Sequence, residues 1–387
     1  MRDFVRRVER ATPANRDRAV DGLRALAIAG VVLGHWLVTA LVQDSGTLHS
    51  ESPLHYLPQL TPVSWVFQTL AVFFMVGGMV GVRSQAAARA RGAGHWSWTG
   101  TRLRWLFRPV VALLTVWTAA MAAMTAAGAD QRTLHTLGKL ALSPLWFLLV
   151  FAVLTAATPL AARLRPGWPL AVVLLVDLNR FVLHGPGWLN SLNVLAGWLV
   201  PYCLGAVWAR GGLRGRTVRW ALFLGGAAAT AVLVHWGGYP AAMVGVPGAP
   251  VSNLDPPNLA TACFGLAQCG GALLLLGPLR RLLARPAAWA AVAVVNLSAM
   301  TVFLWHQTAM MAVTATGLLA GRSLTGLHTA PDGAGWVLAR LAWLPVFAAA
   351  LLVCWAAFHG YEQRRPRGGG TVVRSGGPVA SRPVGRV

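Results

Sequence analysis

Apolar runs of about 20 residues return ten times along this chain, and the basic residues between them fall on alternate connections. A run of that length matches the hydrocarbon thickness of a bilayer, where only a structure that satisfies its own backbone can cross. The runs predict ten spanning helices, at about 22–42, 62–82, 106–127, 144–162, 169–184, 193–209, 218–236, 258–277, 287–315 and 336–358. Hydrophobic residues make up 56% of the chain, charged residues 11%, and mean hydropathy is +0.57, which excludes a soluble domain of this size. With a cytoplasmic N-terminus, 28 of the 33 basic residues fall on inner segments; Arg132, Lys139, Arg180, Arg322 and Arg340 are the remainder. The expectation is therefore an all-α integral membrane protein of about ten transmembrane helices with both termini cytoplasmic. A basic segment over 1–20 precedes a membrane domain over 21–361. A disordered basic tail rich in Gly, Pro, Arg and Ser covers 362–387. The first helix lacks a cleavage pattern and is read as retained.

Membrane topology accounts for most of the net charge of +22 without nucleic acid, which would call for one soluble basic face. The inner loops are placed instead against anionic headgroups. Cys203, Cys263, Cys269 and Cys354 all lie in apolar stretches without metal-ligand spacing, so they read as packing residues and no metal is expected. A single lysine beside 32 arginines, with much Ala and Gly, suggests a GC-rich bacterial genome and hence the bacterial inner membrane.

Polar groups at membrane depth carry the functional argument, because their insertion is costly. The first helix holds Asp21-Gly22-Leu23-Arg24 and then His35. At 3.6 residues per turn Asp21, Arg24 and His35 share one face, with Arg24 and His35 about 16 Å apart along the axis. An anion held at Arg24 would reach the imidazole through a long arm. Asp21 lies too far from His35 to orient it and is read as the partner of an inner arginine. A second group, Arg102, Arg104 and Arg108, leads into the third helix. Its planar donor forks suit phosphate oxygens, although ordinary inner-face anchoring describes it equally well. In the ninth helix His306, paired with Gln307, reads as a base, as a donor that orients the acceptor, or as a packed, hydrogen-bonded histidine. Asp177 is the one carboxylate well inside a predicted span, so an ionic or hydrogen-bonded partner is expected, with a structural pairing to an inner arginine and a catalytic role both open. The segment Ser252-Asn253-Leu254-Asp255-Pro256-Pro257 is too polar and proline-rich for a helix; it reads as a plain loop or as a fold over an outward cavity.

Together these residues resemble the membrane-bound acyltransferase-3 family, which moves acyl groups onto sugars and other hydroxyl acceptors. The likeness runs from Val20 to Tyr361. It rests on Asp21-Gly22-Leu23-Arg24 with His35, the arginines before the third helix, Pro144-Leu145-Trp146-Phe147-Leu148, Ser252-Asn253 with Pro256-Pro257, and Leu304-Trp305-His306-Gln307. The resemblance implies that His35 is the catalytic histidine and that His306 sits near the acceptor. It implies that Arg24, Arg102, Arg104 and Arg108 bind the phosphates of an acyl-CoA co-substrate, and that Trp146, Asn253 and Gln307 contact substrate. Asp21 and Asp177 would orient the site. The family's Arg-x-x-Arg spacing is replaced by Arg102, Arg104 and Arg108, with Trp105 where a basic residue is common.

The expected activity is transfer of an acetyl or other short acyl group from acyl-CoA to a hydroxyl of a glycan or glycosylated metabolite. A membrane-embedded histidine serves as general base, the preferred role, or takes the acyl group transiently as nucleophile, with the reaction completed within the ten-helix unit. The competing reading is a transporter or flippase of an amphipathic solute. Such folds are commonly built from internal repeats, and none is visible here.

Overall fold

A computed structural model describes residues 2–14 and 16–363. The tail expected over 362–387 therefore lies, from residue 364 onward, outside the described residues. The N-terminal α1 (Arg2–Ala11) leads through the N-cap Asp17 into α2 (Arg18–Val38), whose cap accepts from the Ala19 amide. The first helix was expected to continue to residue 42. It stops at Val38, and an antiparallel hairpin follows, β1 (Ala40–Asp44) with β2 (Thr47–Glu51). The run Leu41-Val42 that lengthens the apolar pattern is buried in that hairpin, where β-branched and apolar residues fit equally well.

Short α3 (Pro53–Tyr56) and α4 (Val63–Phe67) precede α5 (Leu70–Ala90), and α6 (His95–Ala126) runs for 32 residues. The amphipathic α7 (Gln131–Leu142) leads to α8 (Leu145–Ala156) and the single turn α9 (Thr158–Ala161). Next come α10 (Gly167–Phe181), α11 (Leu192–Ala209), α12 (Arg216–Trp236) and α13 (Leu259–Leu283). The chain closes with α14 (Pro286–Leu297), α15 (Ala299–Leu318) and α16 (Ala334–Gln363). Among the described residues, eight helical stretches are long and apolar enough to cross a membrane. The pair α14–α15, bent by 74° at Ser298, makes a ninth. The predicted fifth span is present as α10, but its 15 residues are short of the roughly 20 that a full crossing takes.

Close approach of backbones sets the centre of the bundle. A Cβ added at Gly205 of α11 would lie 1.9 Å from the Met75 carbonyl oxygen of α5, and one at Gly78 would lie 2.1 Å from that of Tyr202. Only glycine lets these two helices meet so closely, as small residues do between membrane helices generally. Around this contact Phe74 stacks on Trp198 at 5.0 Å and meets Phe147 edge-on at 5.0 Å, giving the core an aromatic floor.

One end of the bundle is tied by charge. Arg280 of α13 pairs with Asp17 at 2.7 Å, Arg18 donates to the Leu283 carbonyl, and Trp289 of α14 donates to Thr12. The N-terminal segment thereby lies against the α13–α14 turn, at the same end of the bundle as Glu362 near the close of α16, which bonds the first turn of α15.

Candidate functional site

Two elements build the centre of the molecule, α2 and α15, and their register is fixed by one hydrogen bond. The Trp36 indole donates to the main-chain carbonyl of His306 at 2.9 Å. That bond sets His35 beside His306, with ring centroids 5.1 Å apart and planes inclined by 45°. The Gln307 amide nitrogen donates to Nδ1 of His35 at 3.1 Å, while Nδ1 of His306 donates to the Phe303 carbonyl at 2.7 Å. His306 and Gln307 have no exposed surface, and His35 is partly buried. Two acceptor positions in this group are buried without a partner, Nε2 of His306 and Oε1 of Gln307. Unanswered polar atoms of this kind are rare inside proteins.

The bend between α14 and α15 explains why the sequence misjudges the depth of His306. Read as one straight helix, the ninth span places His306 about 19 residues from its inner end, far toward the outside. Broken at Ser298, it places His306 just seven positions after the start of α15 at Ala299, level with His35. A carboxylate holds the break. Glu362 accepts from the Met300 amide at 3.2 Å, the Thr301 amide at 3.1 Å and the Thr301 hydroxyl at 2.9 Å, and so answers orphan donors of the first turn.

Toward the end of the bundle where α2 and α15 begin lies a cavity of about 150 Å³ lined by Arg24, Phe73, Trp98, Arg102, Phe147 and Met300 among others. Its volume equals roughly five water molecules at about 30 Å³ each, enough for a phosphate group. The Arg24 guanidinium lies 5.9 Å from the Phe73 ring centre, and that of Arg102 lies 5.7 Å from Trp98. Glu362, Asp21, Arg102 and Arg16 are the charged neighbours of Arg24. From cavity to histidines the two helices run in the same sense, Arg24 to His35 on α2 and Met300 to His306 on α15. Between them Phe147 meets Phe303 at 5.0 Å, and Phe303 lies 6.1 Å from His306.

The remaining residues singled out in the sequence divide cleanly. Arg102 lines the cavity, whereas Arg104 is exposed and Arg108 half-buried, and neither lines it. Asp21 lies outside the cavity and grips Arg16 with both oxygens, at 2.6 and 3.1 Å. Trp146 is largely exposed and contacts Phe147 at 6.2 Å and Trp198 at 6.3 Å. Asn253 is fully buried and spends its amide inside its own loop. It donates to the Pro240 and Ala242 carbonyls and accepts from Asn258. That loop folds over the ends of α4 and α13, through Met243 to Ser64 and Thr261 to the Asn253 carbonyl. Asp177 is not paired with an inner arginine. It accepts from Asn193 at 3.0 Å, from the Tyr239 hydroxyl at 2.7 Å and from the Leu259 amide at 2.7 Å, which joins α10, α11 and the start of α13.

Two charged residues escaped the sequence reading. Glu362 lies beyond the predicted end of the last span, and Arg340 reads there as a helix-end cation. Arg340 is 1% exposed and donates to the carbonyls of Trp36 at 2.6 Å, Thr39 at 2.5 Å and Gly326 at 2.8 Å. It thus closes the C-terminal end of α2 one turn beyond His35, where a cation answers orphan carbonyls. The signal was available: a cation seven residues into α16, well past its first turn. Among the described residues no group of three or more His, Cys, Asp or Glu is placed to hold a metal.

Comparisons with curated proteins and with solved structures give no match. Against protein-family profiles, residues 17–359 match an acyltransferase domain, that of the acyltransferase-3 family, over nearly the whole chain. The match takes in the cavity, both histidines and all but the last turn of α16. The chain belongs to the acyltransferase-3 family of multi-pass membrane acyltransferases.

Proposed function

We propose that the protein transfers a short acyl group from acyl-CoA to a hydroxyl of a glycan or glycosylated metabolite, with the base drawn from the His35–His306 pair. One observation carries this reading. A cationic cavity and a pair of imidazoles lie on the same face of α2, about 16 Å apart by helix rise, with an aromatic floor between them. Acyl-CoA has that shape, a polyanionic head and a thioester at the end of a long flexible arm. Arg24 and Arg102 supply donor forks for phosphate oxygens. The aromatic side chains Phe73, Phe147 and Phe303 give the uncharged arm an apolar wall and keep water from the thioester. At the far end an imidazole removes the hydroxyl proton as the oxygen attacks the thioester carbonyl, and the thiolate leaves with that proton as free CoA. The distribution of basic loops supports donor entry from the cytoplasmic face of a bacterial inner membrane.

Membranes holding the wild type or His35→Ala in equal amount, given short-chain acyl-CoAs with and without hydroxylated acceptors, test the reading. Acceptor-dependent CoA release that the variant loses supports it. Equal release from both removes His35 from the reaction.

A further inference from the structure

We propose that His306 Nε2 is the atom that takes the acceptor's proton, and that His35, held by Gln307, serves as the hydrogen-bond donor to the thioester oxygen. The inference rests on the acyl-transfer reading and assigns the two imidazoles opposite tasks within it.

Hydrogen-bond polarity carries the argument. A carbonyl oxygen only accepts, so the 2.7 Å contact with Phe303 places the proton of neutral His306 on Nδ1. Its Nε2 then carries a lone pair, which is buried and unanswered. An amide NH₂ only donates, so the 3.1 Å contact from Gln307 occupies the lone pair of His35 Nδ1 and places that ring's proton on Nε2. One ring is left as an acceptor and its neighbour, 5.1 Å away, as a donor. Beside them Gln307 Oε1 is a second buried acceptor with no partner. A hydroxyl brings the proton that this group of acceptors lacks.

The chemistry balances on these two rings. The hydroxyl O–H bond breaks as its proton passes to His306 Nε2, and the oxygen bonds to the thioester carbon. Charge developing on the carbonyl oxygen is met by His35 Nε2–H. When the C–S bond breaks, the proton on His306 passes to the thiolate, which leaves ester and free CoA. The imidazolium formed meanwhile keeps its Nδ1–H on the Phe303 carbonyl.

Gln307→Glu separates this assignment from its reverse. The new carboxylate only accepts, so it draws the His35 proton to Nδ1 and leaves Nε2 without one. If His35 is the donor, acceptor-dependent CoA release falls roughly 100- to 1,000-fold, the loss expected for removing one oxyanion donor. If His35 is instead the base, the same carboxylate orients it as in a carboxylate–histidine pair, and release is kept or increased; that result overturns the inference. His306→Gln is the companion variant. Its release is expected to drop roughly 100- to 10,000-fold, with the acid limb of its residual kcat/KM profile flattened. Retained activity in His306→Gln, with His35→Ala inactive, sinks the assignment while leaving acyl transfer intact. Release unchanged in both histidine variants overturns the inference, whereas acceptor-dependent release absent from the wild type with every donor and acceptor sinks the acyl-transfer reading itself.

Discussion

Two of the polar clusters buried in the apolar body of this protein differ in how far their ionisable members are satisfied. Both oxygens of the Asp177 carboxylate are answered, by Asn193, Tyr239 and the Leu259 amide, and the unanswered acceptor there is the neutral amide oxygen of Asn193. At the histidine cluster His306 Nε2 and Gln307 Oε1 are left without partners. A carboxylate and an imidazole at membrane depth look alike in a sequence, since each merely interrupts an apolar run. The structure separates them by hydrogen-bond count. A group whose bonds are all made to its own chain is committed to holding helices together. A group with an acceptor left over is fit to receive something from outside.

The sharpest way to break this contrast is to delete one member from each side. His35→Ala should lower the rate of acyl transfer roughly 100- to 1,000-fold with little change in melting temperature. Asp177→Ala should do the reverse. It strands the Tyr239 hydroxyl and the Leu259 amide, costs about 2–4 kcal/mol of stability, and leaves kcat within a few-fold of wild type. Thermal denaturation in detergent and CoA release, measured on both variants, decide the matter. If each variant shows the other's behaviour, the count of unanswered acceptors is no guide to function here.

Arg340 sharpens the comparison because it belongs to the satisfied class yet adjoins the site. Arg340→Met preserves volume but orphans the three carbonyls of Trp36, Thr39 and Gly326. We expect a loss of about 3 kcal/mol, read as a lowered melting temperature. Activity at a temperature where the variant is folded should fall by less than for His35→Ala. A variant as stable as wild type would mean that the end of α2 is held by packing alone.

A smaller effect distinguishes the two arginines of the third helix. Arg102 lines the cavity and Arg104 is exposed outside it. Arg102→Gln should raise KM for acyl-CoA roughly tenfold, about 1.4 kcal/mol of binding, with kcat little changed. Arg104→Gln should leave KM within twofold. Equal effects would indicate a diffuse surface field rather than a built phosphate site.

What the sequence makes legible follows from where its information is local. The spans are local, and so is the face shared by Arg24 and His35, because helical spacing fixes both. The meeting of His35 with His306 is not, since it depends on a 74° bend at Ser298 that no proline marks. Pro278 and Pro345 lie inside helices that run on unbroken, so proline was no signal for the break. The cap supplied by Glu362 is equally distant from the residues it serves. Asp177 was expected to find an ionic or hydrogen-bonded partner, and its donors are neutral and come from α11, a loop and the first residue of α13. Asn253 carried a substrate role by resemblance, whereas its side chain is taken up by its own loop.

Helix N-termini extend the comparison to a third carboxylate, which performs the Asp177 task in water. Asp130 accepts from the Arg132 and Thr133 amides at 2.9 and 3.0 Å and caps α7. Hydrogen bonds from Thr133, side chain and then backbone, hold its carboxyl below the usual value. A depressed folded-state pKa means the cap contributes fully above the unfolded value near 3.9 and is lost as pH falls through the folded one. Because Asp130 lies at the surface and caps only α7, the loss should fray one turn rather than melt the bundle. Hydrogen exchange at Arg132 and Thr133, corrected for its intrinsic pH dependence, should speed up only in that acid range. Asp130→Ala should show the fast exchange at every pH. The cap also steadies Thr133, whose hydroxyl accepts from the Leu48 amide of the hairpin. Exchange at Leu48 should therefore follow the same titration. If the Leu48 amide stays protected while α7 frays, the hairpin is held by its own ladder and its contact with His328, whose carbonyl accepts from Gln43 at 3.0 Å.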